Sequence, residues 1–70
     1  MDALSTTAQF GQRVKRELRV QDISLRELAA RMDEYPSSVS RKLVGKRPLT
    51  LEEAARIARE LNVPLSALLP

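Results

Sequence analysis

The sequence has no cysteine, no histidine and no tryptophan, and only one tyrosine and one phenylalanine. Without Cys or His there is no disulfide, no thiolate or imidazole metal site and no Ser–His or Cys–His nucleophile pair. With no Gly-rich phosphate loop and no evident acid/base pair either, an enzyme is the least expected reading, and no cofactor or small-molecule ligand is implied. The lack of cysteine fits a reducing compartment. No apolar run approaches the roughly 18 residues that cross a bilayer. Met1 to Phe10 carries neither a basic nor an apolar stretch of the secretory kind, so the cytoplasm is the expected location. Few rings also mean few strand-favouring residues. The core falls to Leu, Val, Ile, Ala and Met, which is a helical composition.

What is there fits one small domain, residues 1–70, with residues 1–5 expected as a loose arm. Ser5, Thr6 and Thr7 offer N-caps for a first helix running to about Arg19. Phe10, Val14 and Leu18 recur at i, i+4 and i+8 on one face of it. Ser24 followed by Glu27 reads as a capping box opening a second helix, with Leu25, Leu28, Ala29 and Met32 on its inner face. Asp33 is the candidate left-handed residue that ends it. Pro36 suits the first position of a third helix, 36–44, because its missing N–H has no partner there in any case. Val39 and Leu43 are that helix's whole inner face, and Gly45 closes it. Thr50 and Glu53 form a second capping box. Leu51, Ala54, Ala55, Ile57, Ala58 and Leu61 line the fourth helix, and Asn62 ends it. Val63 to Pro70 holds a last short helical turn with Leu65, Leu68 and Leu69. The pattern predicts an all-α unit of five short helices.

The formal net charge is +3, a weak pointer to a polyanionic partner, but the charges are not spread evenly. Between Tyr35 and Leu51 stand Arg41, Lys42, Lys46 and Arg47 and no acid. Chance clustering on a solvated surface gives the same distribution. The third helix adds a second signal. A structural helix wants three to four apolar residues per two turns. This one has two, among Ser37, Ser38, Ser40, Arg41 and Lys42. An ordinary exposed helix of a small bundle would look alike. So would a short helix built to present hydrogen-bonding side chains to the major groove of DNA.

The words "FGQRVK" at 10 to 15, "SLRELAARM" at 24 to 32, "SSVSRKLVGKR" at 37 to 47 and "LEEAARIARELNVPLSALL" at 51 to 69 resemble the lambda-repressor-like (Cro-type) helix-turn-helix family. Their order and spacing carry the likeness: Leu28–Ala29 stand ten to eleven residues before Val39, and Val39 six before Gly45. The resemblance implies a compact five-helix bundle containing a helix-turn-helix. It implies a regulator of transcription of bacterial or phage type, a repressor, that binds double-stranded DNA at a pseudo-palindromic operator.

Residue by residue, the resemblance makes 36–44 the recognition helix. Pro36, Ser37 and Arg41 fall on base-reading positions, with Ser40 on the neighbouring edge. Pro36 departs from the Gln or Arg common in the family and can make only apolar contact. Arg41 can bond guanine bidentately, or serve a phosphate instead. Phosphate contacts fall to Ser24, Lys42, Lys46 and Arg47. Leu25 stands where relatives often carry a phosphate-clamping Gln, and Glu34 would repel phosphate if it faced DNA. Leu18 and Leu43 replace an Arg–Glu pair common in the family, and an apolar pair can do so without loss because the desolvation cost disappears too. Relatives bind as dimers, and Leu65, Leu68 and Leu69 could serve a weak homodimer or pack on their own core. The competing function is a helical protein-interaction module, antitoxin-like or anti-regulator, on the same fold. Such a module would favour exposed apolar side chains on the third helix, where only Tyr35 and Val44 qualify.

Overall fold

Residues 5–70 are described by a computed structural model. In it, capping side chains start three of the four α-helices and left-handed residues stop all four. The elements are α1 (Thr6–Gln21), α2 (Leu25–Arg31), α3 (Pro36–Leu43), α4 (Leu51–Glu60) and a closing 3-10 turn, Leu65–Ala67. There are thus four α-helices where five were expected, and no strand among the described residues. The fifth shrinks to one turn because Pro64 is extended at its head and Pro70 disfavours helical backbone at Leu69. Of the expected arm, residues 1–4 lie outside the described residues. Ser5 belongs to the fold, its hydroxyl accepting the Ala8 N–H at 3.1 Å to cap α1.

Each α-helix ends in the same way. A residue with positive φ follows the last turn: Asp22 at 57°, Asp33 at 58°, Gly45 at 86° and Asn62 at 58°. The N–H of the residue after it returns to a carbonyl one turn inside the helix. The bonds are Ile23 to Leu18 at 2.9 Å, Glu34 to Ala29 at 2.9 Å, Lys46 to Arg41 at 2.9 Å and Val63 to Ala58 at 3.0 Å. These are Schellman closures, which satisfy carbonyls that the helix leaves open. Asp33, Gly45 and Asn62 do what their residue types suggest. Asp22 extends α1 two residues past Arg19.

The capping boxes divide. Thr50 Oγ1 accepts the Glu53 N–H at 3.0 Å and Glu53 Oε1 accepts the Thr50 N–H at 2.9 Å, so that box is complete. Ser24 accepts the Glu27 N–H at 3.0 Å, but Glu27 does not return the bond. Its carboxylate lies 2.6 Å from Arg31 instead. Arg31 also donates to the Glu60 carbonyl at 3.0 Å, and Arg56 donates to the Arg31 carbonyl at 3.0 Å. Two arginines thus cross-cap the C-termini of α4 and α2.

The core joins Phe10, Val14 and Leu18 of α1 to Leu28, Ala29 and Met32, to Val39 and Leu43, and to Ala54, Ile57, Ala58, Leu61 and Leu68. Every buried side chain in it is apolar. Leu25 and Leu65 are half-buried against it. Leu51 does not join: at the first position of α4 it overhangs the packed stripe and is 73 % exposed. α3 is the central helix, packing on both α1 and α2. Leu18 and Leu43 share the core, but α1 meets the α3 backbone two turns earlier, at Gly11. A Cβ at Gly11 would stand 1.7 Å from the Leu43 carbonyl oxygen, so only glycine admits the crossing. Nothing at Gly11 relaxes cheaply, because the obstacle is backbone. Gly11→Ala should therefore cost about 3 kcal/mol or more. Gly45→Ala, a strain of φ alone, should cost about 1–2 kcal/mol. Denaturant midpoints measure both. Equal, small losses would mean that α1 and α3 do not approach each other at Gly11.

Candidate nucleic-acid interface

Two apolar anchors leave the rest of α3 to the outside. With Val39 and Leu43 inward, the helical period puts Ser37, Arg41 and Val44 on the opposite side and Ser40 on the flank, while Pro36, three residues before Val39, lies toward the inner side. Pro36, Ser37, Arg41 and Val44 are exposed and Ser40 is partly so. Of the four residues expected to read bases, Ser37 and Arg41 share the outward face, Ser40 borders it, and Pro36 is exposed at the first position of the helix. Among the described residues, none of Arg41, Lys46 and Arg47 has its side chain held in an ion pair or a side-chain hydrogen bond. The basic loop is fixed through its backbone. The Lys46 and Arg47 N–H groups both donate to the Arg41 carbonyl, at 2.9 and 3.4 Å, and Gly45 donates to Lys42 at 3.2 Å. Lys46 and Arg47 thereby stand at the C-terminal end of the face that carries Arg41.

Ser24, at the N-terminus of α2, is exposed. Its oxygen accepts the capping bond, which leaves its hydroxyl hydrogen to donate to a phosphate. Lys42 is drawn the other way. Its ammonium lies 3.0 Å from Glu34 and 2.5 Å from Glu53, and its side chain is only 14 % exposed. Expected on phosphate, it instead ties α3 to the α2–α3 turn and to the cap of α4. Glu34 is paired through the same contact and accepts from the Ser38 hydroxyl at 3.3 Å, although it shares the one ammonium with Glu53. Sequence spacing could not reveal this bridge, since its partners lie eight and eleven residues from Lys42. The dimer expectation narrows as well. Leu68 is buried in its own core and Leu65 half-buried against it, leaving Leu69 of the three exposed.

The bridge has a pH signature. The Lys42 hydrogen bond, aided by the Thr50 backbone, holds the Glu53 carboxyl below its ordinary 4.5. The same bond holds the Lys42 ammonium above its ordinary 10.5, against the opposing pull of partial burial. A lowered carboxyl contributes stability in full above pH 4.5, and that contribution fades as pH falls through the depressed value. A raised ammonium contributes in full below pH 10.5, and that contribution fades as pH rises through the raised value.

Comparison with known proteins follows the same geometry. The profile of the helix-turn-helix family matches residues 15–68. Among curated proteins, none matches the sequence significantly. The solved structures that match include FeII HppE, with a TM-score of 0.84 and 25 % identity over 94 % of this chain and 35 % of that one. CoII HppE in complex with substrate gives 0.84 and 25 % over 94 % of this chain and 37 % of that one. This chain thus spans about a third of HppE. The DNA-binding domain of BldD matches end to end, with a TM-score of 0.80 over 93 % of this chain and 94 % of that one. At 24 % identity that likeness bears on the fold.

Lys42→Met keeps the length of the stem and removes the charge. At neutral pH it should lose about 1–2 kcal/mol of stability, because two partly covered carboxylates are left facing each other. The gap from the unmodified chain should narrow in acid, below the depressed Glu53 value, where a protonated carboxyl no longer needs the cation. Unfolding midpoints at both pH values decide. A gap independent of pH would assign the loss to packing of the stem and not to the bridge.

Proposed function

The chain belongs to the helix-turn-helix family, in its lambda-repressor-like branch, and we propose from that membership that it binds double-stranded DNA sequence-specifically and represses transcription. α3 enters the major groove. The observation that carries the reading is the outward face of α3: Ser37 and Arg41, bordered by Ser40 and headed by the exposed Pro36, on a helix held by only two apolar anchors, with a free basic loop at its end. Major-groove edges carry a distinct donor and acceptor pattern for each base pair, and a helix can reach them. Arg41 is the long reader, placed to bond guanine O6 and N7. Ser37 and Ser40 donate or accept beside it, and Pro36 supplies an apolar contact.

Phosphates are held by Ser24, Lys46 and Arg47. Lys42 leaves that set, because pulling it onto DNA would strip two carboxylates of their shared cation. The chain acts by binding and not by catalysis. It works as a pair on two half-sites, since one α3 reads only a few base pairs and the family docks as two-fold pairs about one helical turn apart. The exposed Leu69 is the apolar contact available to such a pair.

Each phosphate contact releases counterions, so the binding constant should fall steeply with salt. Lys46→Ala should lower that salt slope by roughly one and weaken all sequences alike. Lys42→Met should leave the slope unchanged. A slope altered by Lys42→Met and indifferent to Lys46→Ala would reverse the assignment. Arg41→Ala should cost about 1–3 kcal/mol on the preferred sequence and little on random DNA. A uniform loss on both would make Arg41 a phosphate contact.

A further inference from the structure

Three of the four α-helices begin on a side chain that caps them: Ser5 for α1, Ser24 for α2 and Thr50 for α4. α3 does not. Its N-cap is Tyr35, which makes no side-chain cap bond, although its backbone at φ −77° and ψ 144° is the ordinary capping conformation. Ser, Thr, Asp or Asn would fit there and stabilise the helix. Tyr35 is also the most exposed of the large apolar side chains among the described residues, at 81 %. The fold does not use the ring, and the helix forgoes a cap to carry it. A local rule broken in one place and kept at every equivalent one marks a site shaped by something other than stability.

The position says what that something is. Tyr35 stands at the leading end of α3, next to Pro36, which has a ring and no N–H. Helix-turn-helix proteins bring the N-terminal residues of the recognition helix to the base edges. Tyr35 and Pro36 together make that end apolar, whereas the middle of the face is polar through Ser37, Ser40 and Arg41. The Tyr35 carbonyl accepts the Ser38 and Val39 N–H groups, at 3.0 and 3.1 Å, so the backbone that carries the ring is fixed. The carboxylate beside it, Glu34, is held against the Lys42 ammonium and the Ser38 hydroxyl. On the floor of the major groove one feature is apolar, the C5-methyl group of thymine.

We propose that Tyr35, with Pro36, reads the 5-methyl group of a pyrimidine, thymine in ordinary DNA, in the base pairs at the leading end of α3. This rests on the DNA-binding reading above and assigns it a specificity residue. The ring closes over the methyl and excludes water from it, while Arg41 reads its guanine one to two turns further along. The phenolic hydroxyl has no part in methyl recognition, so Phe can replace Tyr and a small side chain cannot.

The test changes one methyl at a time. A duplex selected from random DNA by the full chain is remade with deoxyuridine in place of each thymidine, which removes only the methyl. Binding of the unmodified chain should weaken about fourfold at one thymidine per half-site, the loss expected for one buried methyl-sized group. Tyr35→Phe should keep that sensitivity. Tyr35→Ala and Tyr35→Ser should bind thymidine and deoxyuridine duplexes equally. Tyr35→Ser should also raise the thermal midpoint by a few degrees, since it restores a capping side chain. More stable protein with less discrimination is an outcome that a structural role for Tyr35 does not produce. Specific binding with no uridine effect, or an effect that survives Tyr35→Ala, overturns the methyl assignment and leaves the DNA-binding reading standing. No preference for any duplex overturns both.

Discussion

α3 can leave a face open to solvent only because so little of it is needed to hold it. Two side chains, Val39 and Leu43, anchor it in the core. Two such anchors would be a loose grip on a helix of eight residues were the backbone itself not held. Gly11 supplies that hold: with no side chain there, α1 comes down onto the Leu43 carbonyl, closer than any other residue would allow. Close backbone contact replaces the wide apolar stripe that a structural helix carries. The side chains thus released are the ones that meet solvent, and a partner.

Charge finishes what packing starts. Lys42 lies on the flank of α3 and gathers a carboxylate from the turn before the helix and another from the cap of the helix after it. Glu53 is shared between Lys42 and the Thr50 N–H, so a single carboxylate joins the capping of α4 to the seating of α3. The same arrangement sorts the cations of this region. Lys42 is consumed inside the protein, whereas Arg41, Lys46 and Arg47 stay unpaired on the outside. A positive surface is only useful to a polyanion where its charges are not already spent.

Features that depend on neighbours in sequence were legible, and features that depend on neighbours in space were not. Asp33, Gly45 and Asn62 end helices because each can adopt positive φ at low cost, a property of the residue itself. The Thr50–Glu53 box and Pro36 at the head of α3 follow from local geometry in the same way, as does the outward pair Ser37 and Arg41 with Ser40 on its edge. Glu27 was misjudged because Arg31, one turn on, competes for its carboxylate and also reaches Glu60 across the fold. The Lys42 bridge was not legible because the charge of a lysine is visible in sequence and its partners are not. Gly11 carried no expectation at all, since a glycine inside a helix reads as a weakness until the second helix is placed against it. The last segment is the short helical turn its pattern suggested, but one 3-10 turn does not make a fifth helix, and of its leucines Leu65 and Leu68 pack while Leu69 stays exposed.

The central claim is that the exposed face of α3 reads base sequence. Selection of bound duplexes from a random DNA pool tests it most directly, carried out in parallel with the unmodified chain and with Arg41→Ala. The account predicts a short enriched motif, repeated in inverted orientation about one helical turn apart. A guanine in each half should lose its enrichment in the Arg41 variant while the flanking preferences persist. A folded chain that retains DNA with no enriched sequence, or a motif untouched by Arg41→Ala, would contradict it.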